Sequence, residues 1–475
     1  MKDIAIIGSG ILGSLLAYQL SKYEISVVLI DKESDSCNGI SLANSAIIHA
    51  GVDPEENTLK ARHNVRGNQM YPALCEELSA RYLPCGGWIV AKNEDELDAL
   101  IELQARAQSR GIPCDWLDQT QVRQLQPNIH DSILAALSLD TTGVIYPWEV
   151  SHHAVSAAYN NGVECAFNHE VVSISKSEVG YQITTSKGVI DARIVINVAG
   201  LFADRIEQMV HEPSFSLHLR KGVYYVLDKK AVNLSKRVIY PAPSKVGKGV
   251  LIVPTLDGNM LIGPNSKDID DPFDISSDAE SLKEVKEKAS MLLTDIPYHL
   301  NIRTFAGIRP TSHSKDFIIE HHKDDKCWIN VTGVDSPGLA SAPSIVESVI
   351  EEMIGSMLEL RKKNVFKPYK PLPTLHALTD AQRNEYIAKN PKYGHVICVC
   401  EEISEQEILD AIKEPFGAKT VKQIKKRCRP GSGRCQGGMC EPKIVELIAK
   451  EYQIDVTDIR FDKEGSWMFA KEESQ

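Results

Sequence analysis

The chain opens on a continuous apolar run, Ile4-Ala5-Ile6-Ile7, which predicts a strand buried on both faces. Gly8-Ser9-Gly10-Ile11-Leu12-Gly13 follows at once. Leu15, Leu16, Tyr18, Gln19 and Leu20 then recur at helical spacing between Ser14 and Lys22. Ser26-Val27-Val28-Leu29-Ile30 predicts a second strand and ends in Asp31. Later apolar runs predict strands at 169–174 and at 192–198, the latter turning at Ala199-Gly200. Others lie at 223–227, 248–254 and 258–264, with Asp257-Gly258 as a hairpin turn. Trp328 to Leu339 reads as strand, loop and helix start. The helix expected over about 343–360 places Ile345, Val346, Val349, Ile350, Met353 and Ile354 on one face.

The first of these patterns carries chemistry. Gly8 suits a tight turn, Gly10 a close backbone approach to a pyrophosphate, and Gly13 a helix packed close to the strand. The helix N-terminus offers N–H groups and a positive dipole end to phosphates. Asp31, 18 residues after Gly13, can accept hydrogen bonds from a ribose. This is a dinucleotide site, and the acid favours FAD or NAD over NADP. The small polar loop 37–45 interrupts the strand–helix alternation that an NAD enzyme would continue. A helix following the 328–334 strand can stabilise negative charge on a reduced flavin.

Length suggests roughly three domains at about 150 residues each. The composition, 43% hydrophobic and 25% charged, is that of a globular protein. A net charge of −11 disfavours a sequence-independent nucleic-acid binder. No apolar run reaches the ~18 residues of a membrane span, and the N-terminus lacks the basic region of a secretion signal. A cytoplasmic location is expected. There thiols stay reduced, and clustered cysteines are metal or redox groups.

The stretches 44–51, Phe305-Ala306-Gly307-Ile308-Arg309-Pro310 and 333–339 resemble the FAD-dependent oxidoreductases of the D-amino-acid oxidase superfamily. The likeness lies within its glycerol-3-phosphate dehydrogenase and L-2-hydroxyglutarate dehydrogenase branch and spans about residues 1–365. It implies an α/β (α+β) fold: a Rossmann-like FAD-binding domain (1–81, 151–213, 313–365) with an inserted mixed-sheet substrate domain (82–150, 214–312). It implies a non-covalent flavin contacted by Gly8, Gly10, Ile11, Leu12, Gly13, Asp31, Lys32, Asn44, Ser45 and Val172. Ala199, Gly200, Gly307, Ser336, Pro337, Gly338 and Leu339 complete that expected set.

Oxidising an alcohol carbon needs a C–H aimed at the flavin, a base for the hydroxyl proton and cations for the substrate's anionic group. Arg309 is the leading cation, because a guanidinium binds carboxylate or phosphate bidentately. Arg220 and Lys221 precede the Tyr224-Tyr225 pair and resemble the branch's basic turn, so one of them is a second candidate, with Lys221 preferred. The resemblance sets His49 beside the flavin, and a histidine titrates near neutrality, which makes it the leading base. Tyr224, Tyr240 and Lys248 are weaker candidates, and His321-His322 is expected to be exposed. Arg220-Lys221-Gly222 stands where the dicarboxylate enzymes of the branch usually carry Arg-Gly-Glu. This favours phosphate over a second carboxylate as the anionic group, and L-2-hydroxyglutarate or another 2-hydroxy acid is the alternative.

Five of the 11 cysteines fall in the last 78 residues, beyond a Lys367-Pro368-Tyr369-Lys370-Pro371-Leu372-Pro373 boundary. Asp380 to Lys389 predicts a short helix. The cysteines are spaced C-x-C, 34 residues, C-x4-C, with Cys428 left over. Four thiolates suit a [2Fe–2S] cluster; zinc also accepts four, but C-x-C is unusual for it. Residues 395–460 resemble bacterioferritin-associated-ferredoxin-like [2Fe–2S] domains, with Gly433-Arg434-Cys435-Gln436-Gly437 the sharpest match. That resemblance implies ligands Cys398, Cys400, Cys435 and Cys440, a helical cluster domain over 395–475 and a linker at 366–394. Arg427, Arg429 and Arg434 are expected to offset cluster charge or to be solvated.

No second glycine fingerprint is visible, so the electron acceptor is expected to be a quinone or a second flavoprotein subunit, with any membrane contact made through the partner. The competing expectation is a non-catalytic flavin and iron–sulfur electron carrier.

Overall fold

The computed structural model describes residues 1–243 and 249–470, so Lys248 lies outside the described residues. The chain divides into two compact units, Met1–Lys32 with Ser36–Pro368, and Glu33–Asp35 with Tyr369–Gln475.

The first unit is built on two large sheets. One has eight strands, and the opening strand Lys2–Ile7 lies at its centre, parallel to Val27–Ile30 on one side and to the end of Gly188–Asn197 on the other. Asp325–Thr332 extends the parallel part beyond Gly188–Asn197. Central parallel strands are covered on both faces, which is why Ile4, Ala5, Ile6, Val28 and Leu29 are all buried. The first helix, Ile11–Leu20, starts inside the glycine run, three residues earlier than its apolar spacing indicated.

The second sheet has nine strands and is mixed. It joins strands from 87–139 with strands from 217–312. Its longest pairing runs antiparallel between Leu217–Leu227 and Asn301–Ser312, in a register that sets Arg220 opposite Arg309 and Gly222 opposite Gly307. The hairpin expected at Asp257-Gly258 forms between Leu251–Pro254 and Met260–Gly263.

A long helix, Leu59–Glu77, packs on Gly338–Ser348, which continues as a π-turn over Val349–Ile354. All six residues expected on the apolar face of that segment are buried. Between the two helices His63 is buried, with its Nδ1 3.0 Å from the Ser344 hydroxyl. Burial, followed by the neighbouring Arg62 charge, pulls its pKa down to about 4. Between pH 6.5 and 4 the unfolded chain therefore binds a proton that the folded chain does not, and stability falls as pH falls through that window. His63→Gln is expected to flatten the stability–pH curve there by about 2 kcal/mol between pH 7 and 5, read from urea unfolding at pH 7, 6 and 5.

His322 differs from expectation. It is buried, and its ring stacks on His211 at 4.1 Å, with His211 Nε2 3.2 Å from Asp325. The partner ring comes from far along the chain, so the local turn sequence could not reveal it.

The second unit is helical around one small core that contains Ile397, Ile403, Ile408, Ile412, Ile424, Ile444 and Ile448. The helix Asp380–Lys389 forms as the pattern indicated, capped by Thr379 and Gln382, and belongs to this unit rather than to a free linker.

Candidate functional site

In the first unit the glycine turn and the second strand's acid are tied together. Ser9 donates from its N–H and its hydroxyl to Asp31 Oδ2, each at 2.6 Å, and Gly8 N–H donates to Ile30 O at 2.8 Å. A Cβ on Gly13 would sit 1.8 Å from the Gly8 carbonyl oxygen, so the helix rests directly on the turn. Gly10 is the N-cap without a side-chain cap, and no acid stands in the first helical turn. Ser41 accepts from Ile11 N–H at 2.9 Å. A backbone cradle that excludes side chains, at a helix N-terminus without negative charge, fits the pyrophosphate of FAD. Lys32 lies over the Phe202 ring at 3.7 Å.

The 40–48 loop closes on the same region. Asn44 donates to the Ile40 and Ser41 carbonyls and accepts from Ala46 N–H, so its amide braces the loop. The Ser45 hydroxyl is 3.1 Å from the Tyr224 hydroxyl, and Gly307 passes so close to Ala43 that a Cβ would sit 1.9 Å from its carbonyl oxygen. Gly200 approaches Ile40, and Val172 is the second residue of the strand Val171–Ser177, at the shift of register between Val171 and Ser173. Ser336 and Pro337 precede the helix that starts at Gly338, and Leu339 O accepts from the Tyr71 hydroxyl at 2.7 Å.

His49 is partly buried. Asn64 and Asn68 donate to its carbonyl at 2.8 and 3.1 Å, and its ring lies 5.6 Å from the Tyr240 ring. Two asparagines on one helix thus fix the backbone that carries the imidazole. Tyr224 stacks on Phe305 at 4.5 Å, which holds the wall between Ser45 and the long hairpin.

The substrate cations sort by strand alternation. Arg220 and Arg309 are cross-strand partners and share a face. Lys221, one residue on, points the other way: it is 4% exposed, with Nζ 2.6 Å from Asp274 and 3.1 Å from Ser276. Lys221 therefore anchors the 274–278 loop, and the structure does not bring it to Arg309. Arg309 donates to Asn265 O at 3.0 Å, and burial holds its pKa below the ordinary arginine value.

A third cation joins the two arginines. Lys60 Nζ is 2.6 Å from Asp335 Oδ1, and Arg220 Nη2 is 3.5 Å from Asp335 Oδ2, which also accepts from Thr311 at 2.9 Å. Lys60 and Arg220 thus flank one buried carboxylate, with Arg309 across the strands from Arg220 and within its field, and a surplus of positive charge of this kind suits an anionic ligand. Nothing in the sequence marked Lys60. Asp335 sat unremarked within the 333–339 stretch.

In the second unit, Cys400 and Cys435 bring their sulfurs to 3.7 Å, and Cys398 lies against Cys440. Two pairs of thiols suit a two-iron cluster, in which each iron takes two cysteine sulfurs. Contact with Cys440, then the Gly431 and Glu401 N–H groups, lowers the Cys398 pKa to about 6, and Met439 and Gly437 N–H groups lower that of Cys435. These backbone donors favour thiolate. Gly433 is required where the two segments meet, since its Cβ would sit 2.4 Å from Cys400 Cβ. Cys428 is remote in chemistry: its thiol lies 3.5 Å from Ile424 O, and burial pushes its pKa well up. Cys428→Ser is expected to leave iron content and cluster absorption unchanged, whereas Cys435→Ser removes both.

Two of the three expected cluster-side arginines have other duties. Arg427 is buried between Asp35 and Glu414, at 3.0 and 3.1 Å, and Arg429 pairs with Glu401 at 3.2 Å. A buried guanidinium needs carboxylates. Only Arg434 is exposed.

The family model described as FAD dependent oxidoreductase matches residues 3–351, and that of the BFD-like [2Fe-2S] binding domain matches residues 396–450. The chain is 42% identical over 472 residues to a glycerol 3-phosphate dehydrogenase of Caloramator mitchellensis, covering 99% of this chain and 98% of the relative. It is 31% identical over 366 residues to a glycerol 3-phosphate oxidase of Mycoplasma pneumoniae, covering 74% of this chain and 94% of the relative. The solved dithionite-reduced L-alpha-glycerophosphate oxidase from Mycoplasma pneumoniae with FAD bound matches with a TM-score of 0.73 and 28% identity, over 78% of this chain and 99% of that one.

Proposed function

The chain belongs to the FAD dependent oxidoreductase family and carries a BFD-like [2Fe-2S] binding domain, and on that premise we propose that it oxidises sn-glycerol 3-phosphate to dihydroxyacetone phosphate. A [2Fe–2S] cluster held by the C-terminal cysteines would supply a one-electron relay toward a partner protein or a quinone. The observation that carries the substrate is the group of Lys60, Arg220 and Arg309 around the single carboxylate of Asp335. The relatives named for glycerol 3-phosphate support it.

FAD, when bound, supplies the two-electron acceptor for the substrate's C–H. The glycine turn, Asp31 and the helix N-terminus at Ile11 would hold its phosphates and ribose. Arg309 and Arg220 bind the substrate phosphate, and Asp335 orients Arg220 through the 3.5 Å contact. This assignment moves the second cation from Lys221 to Arg220. His49 takes the hydroxyl proton, on a backbone held still by Asn64 and Asn68. The stacked Tyr224 and Phe305 wall keeps water from that side of the pocket. Cys398, Cys400, Cys435 and Cys440 ligate the cluster. No described helix is long and apolar enough to cross a membrane. We place the protein in the cytoplasm, reaching any membrane through its partner.

Anaerobic bleaching of the flavin absorbance is the test. Glycerol 3-phosphate is expected to bleach it far faster than L-2-hydroxyglutarate, lactate or amino acids. Bleaching by a dicarboxylate alone, or by none of them, overturns the assignment.

A further inference from the structure

The two segments that carry the cysteines also carry apolar side chains the core does not take. Val399, between Cys398 and Cys400, is 79% exposed, and Met439, just before Cys440, is 76% exposed. Val396, at the other end of the strand Val396–Cys398, is 45% exposed. These are not residues without a core to enter, because Ile397, Ile403 and Ile444 in the same segments are buried. The exposed apolar residues adjoin the sulfur set along the chain: Cys400, next to Val399, is exposed, its sulfur 3.7 Å from that of Cys435, and Met439 N–H faces Cys435.

Exposed bases stand beside the cysteines. Arg434, immediately before Cys435, and Lys443, three residues after Cys440, are both exposed, and neither forms an ion pair with a described residue. The acids nearby are engaged. Glu402 lies 3.7 Å from Arg383, Glu401 pairs with Arg429, and Glu441 folds back over Gly437. Apolar residues, with Met and Arg prominent, around a nearly exposed redox centre are the composition of a small, short-lived protein interface.

We propose that Val399 and Met439, with Arg434 and Lys443 beside them, form the docking surface for a one-electron acceptor protein whose redox centre is ringed by acidic residues. The inference rests on the reading above that electrons leave through the cluster, and it adds where they leave and toward what charge. Each oxidation of alcohol to ketone releases two electrons and two protons. Two acceptor molecules therefore take one electron each, and the protons go to solvent.

The experiment uses the FAD- and cluster-loaded full chain with glycerol 3-phosphate and three acceptors: the acidic haem protein cytochrome b5, the basic cytochrome c, and the dye dichlorophenolindophenol. The expected result is that cytochrome b5 is reduced faster than cytochrome c at low salt, and that its rate falls about tenfold or more as salt rises. Arg434→Glu with Lys443→Glu, and separately Met439→Glu, lower the cytochrome b5 rate about tenfold. Dye reduction, cluster absorption and the electron paramagnetic resonance signal of the substrate-reduced cluster stay unchanged. The proposal is overturned if the variants reduce cytochrome b5 normally, or if cytochrome c is equally affected. It is also overturned if the variants slow reduction of the cluster by substrate, which would make the rim part of the internal route. A wild-type protein that reduces a water-soluble quinone but neither haem protein overturns it as well. Holoenzyme reduced by dithionite and freed of excess gives the same comparison without substrate, so failure of the substrate reading is seen separately from failure of the docking surface.

Discussion

Arg309→Leu lowers kcat/KM for glycerol 3-phosphate by roughly 100- to 1,000-fold, about 3–4 kcal/mol, while the purified protein keeps its full complement of flavin. The size follows from burial. Arg309 is largely withdrawn from water, and among the described residues its hydrogen bond is to the Asn265 carbonyl, so a phosphate would be its principal counter-charge. Leucine removes the guanidinium and leaves the anion's oxygens unpaired. KM rises and kcat falls together, because phosphate binding also fixes the direction of the carbinol C–H. Arg309→Lys recovers part of KM and less of kcat, since a point charge cannot impose the two-pronged geometry. Stopped-flow bleaching with glycerol 3-phosphate measures both terms. A variant with ordinary kinetics would remove Arg309 from the site.

Gly13→Val yields a protein that retains less than about a tenth of wild-type flavin. Even the first added carbon would stand 1.8 Å from the Gly8 carbonyl, so the helix Ile11–Leu20 has to withdraw from the turn. Its dipole end and leading N–H groups then leave the pyrophosphate position, a loss of about 2–3 kcal/mol or roughly 30- to 100-fold in affinity. The helix is buried on nearly all sides, so it has little room to move without loosening the central sheet. The flavin-to-protein absorbance ratio after gel filtration, with added FAD as a second arm, checks the outcome. The cluster unit has its own core, and its iron content is expected to be untouched.

Local signals were readable wherever the chemistry was local. The glycine turn and Asp31 lie within 31 residues of one another and form the expected strand, turn and helix. The helix 380–389 was legible to the residue because Thr379 and Gln382 cap it reciprocally. The two cysteine segments declared themselves by spacing. What escaped depends on partners far along the chain. Lys221 and Arg220 are indistinguishable as adjacent cations until the pairing with Asn301–Ser312 decides which face each takes. Arg427 looked like a cluster-side charge, but its carboxylates are Asp35 and Glu414. His322 read as exposed because its cover, His211, comes from another element. Lys60 entered the substrate site only because the helix Leu59–Glu77 starts beside Asp335.

The grouping of Lys60, Arg220 and Arg309 around Asp335 also has a bearing on the ionisation of the substrate itself. A phosphate monoester carries close to two negative charges at neutral pH and loses one near pH 6. Mutually repelling cations gain more from the dianion than from the monoanion. If glycerol 3-phosphate is the substrate, as proposed, the site would select its protonation state as well as its shape. As the surroundings acidify, the pool of usable substrate would shrink even though its total concentration is unaltered.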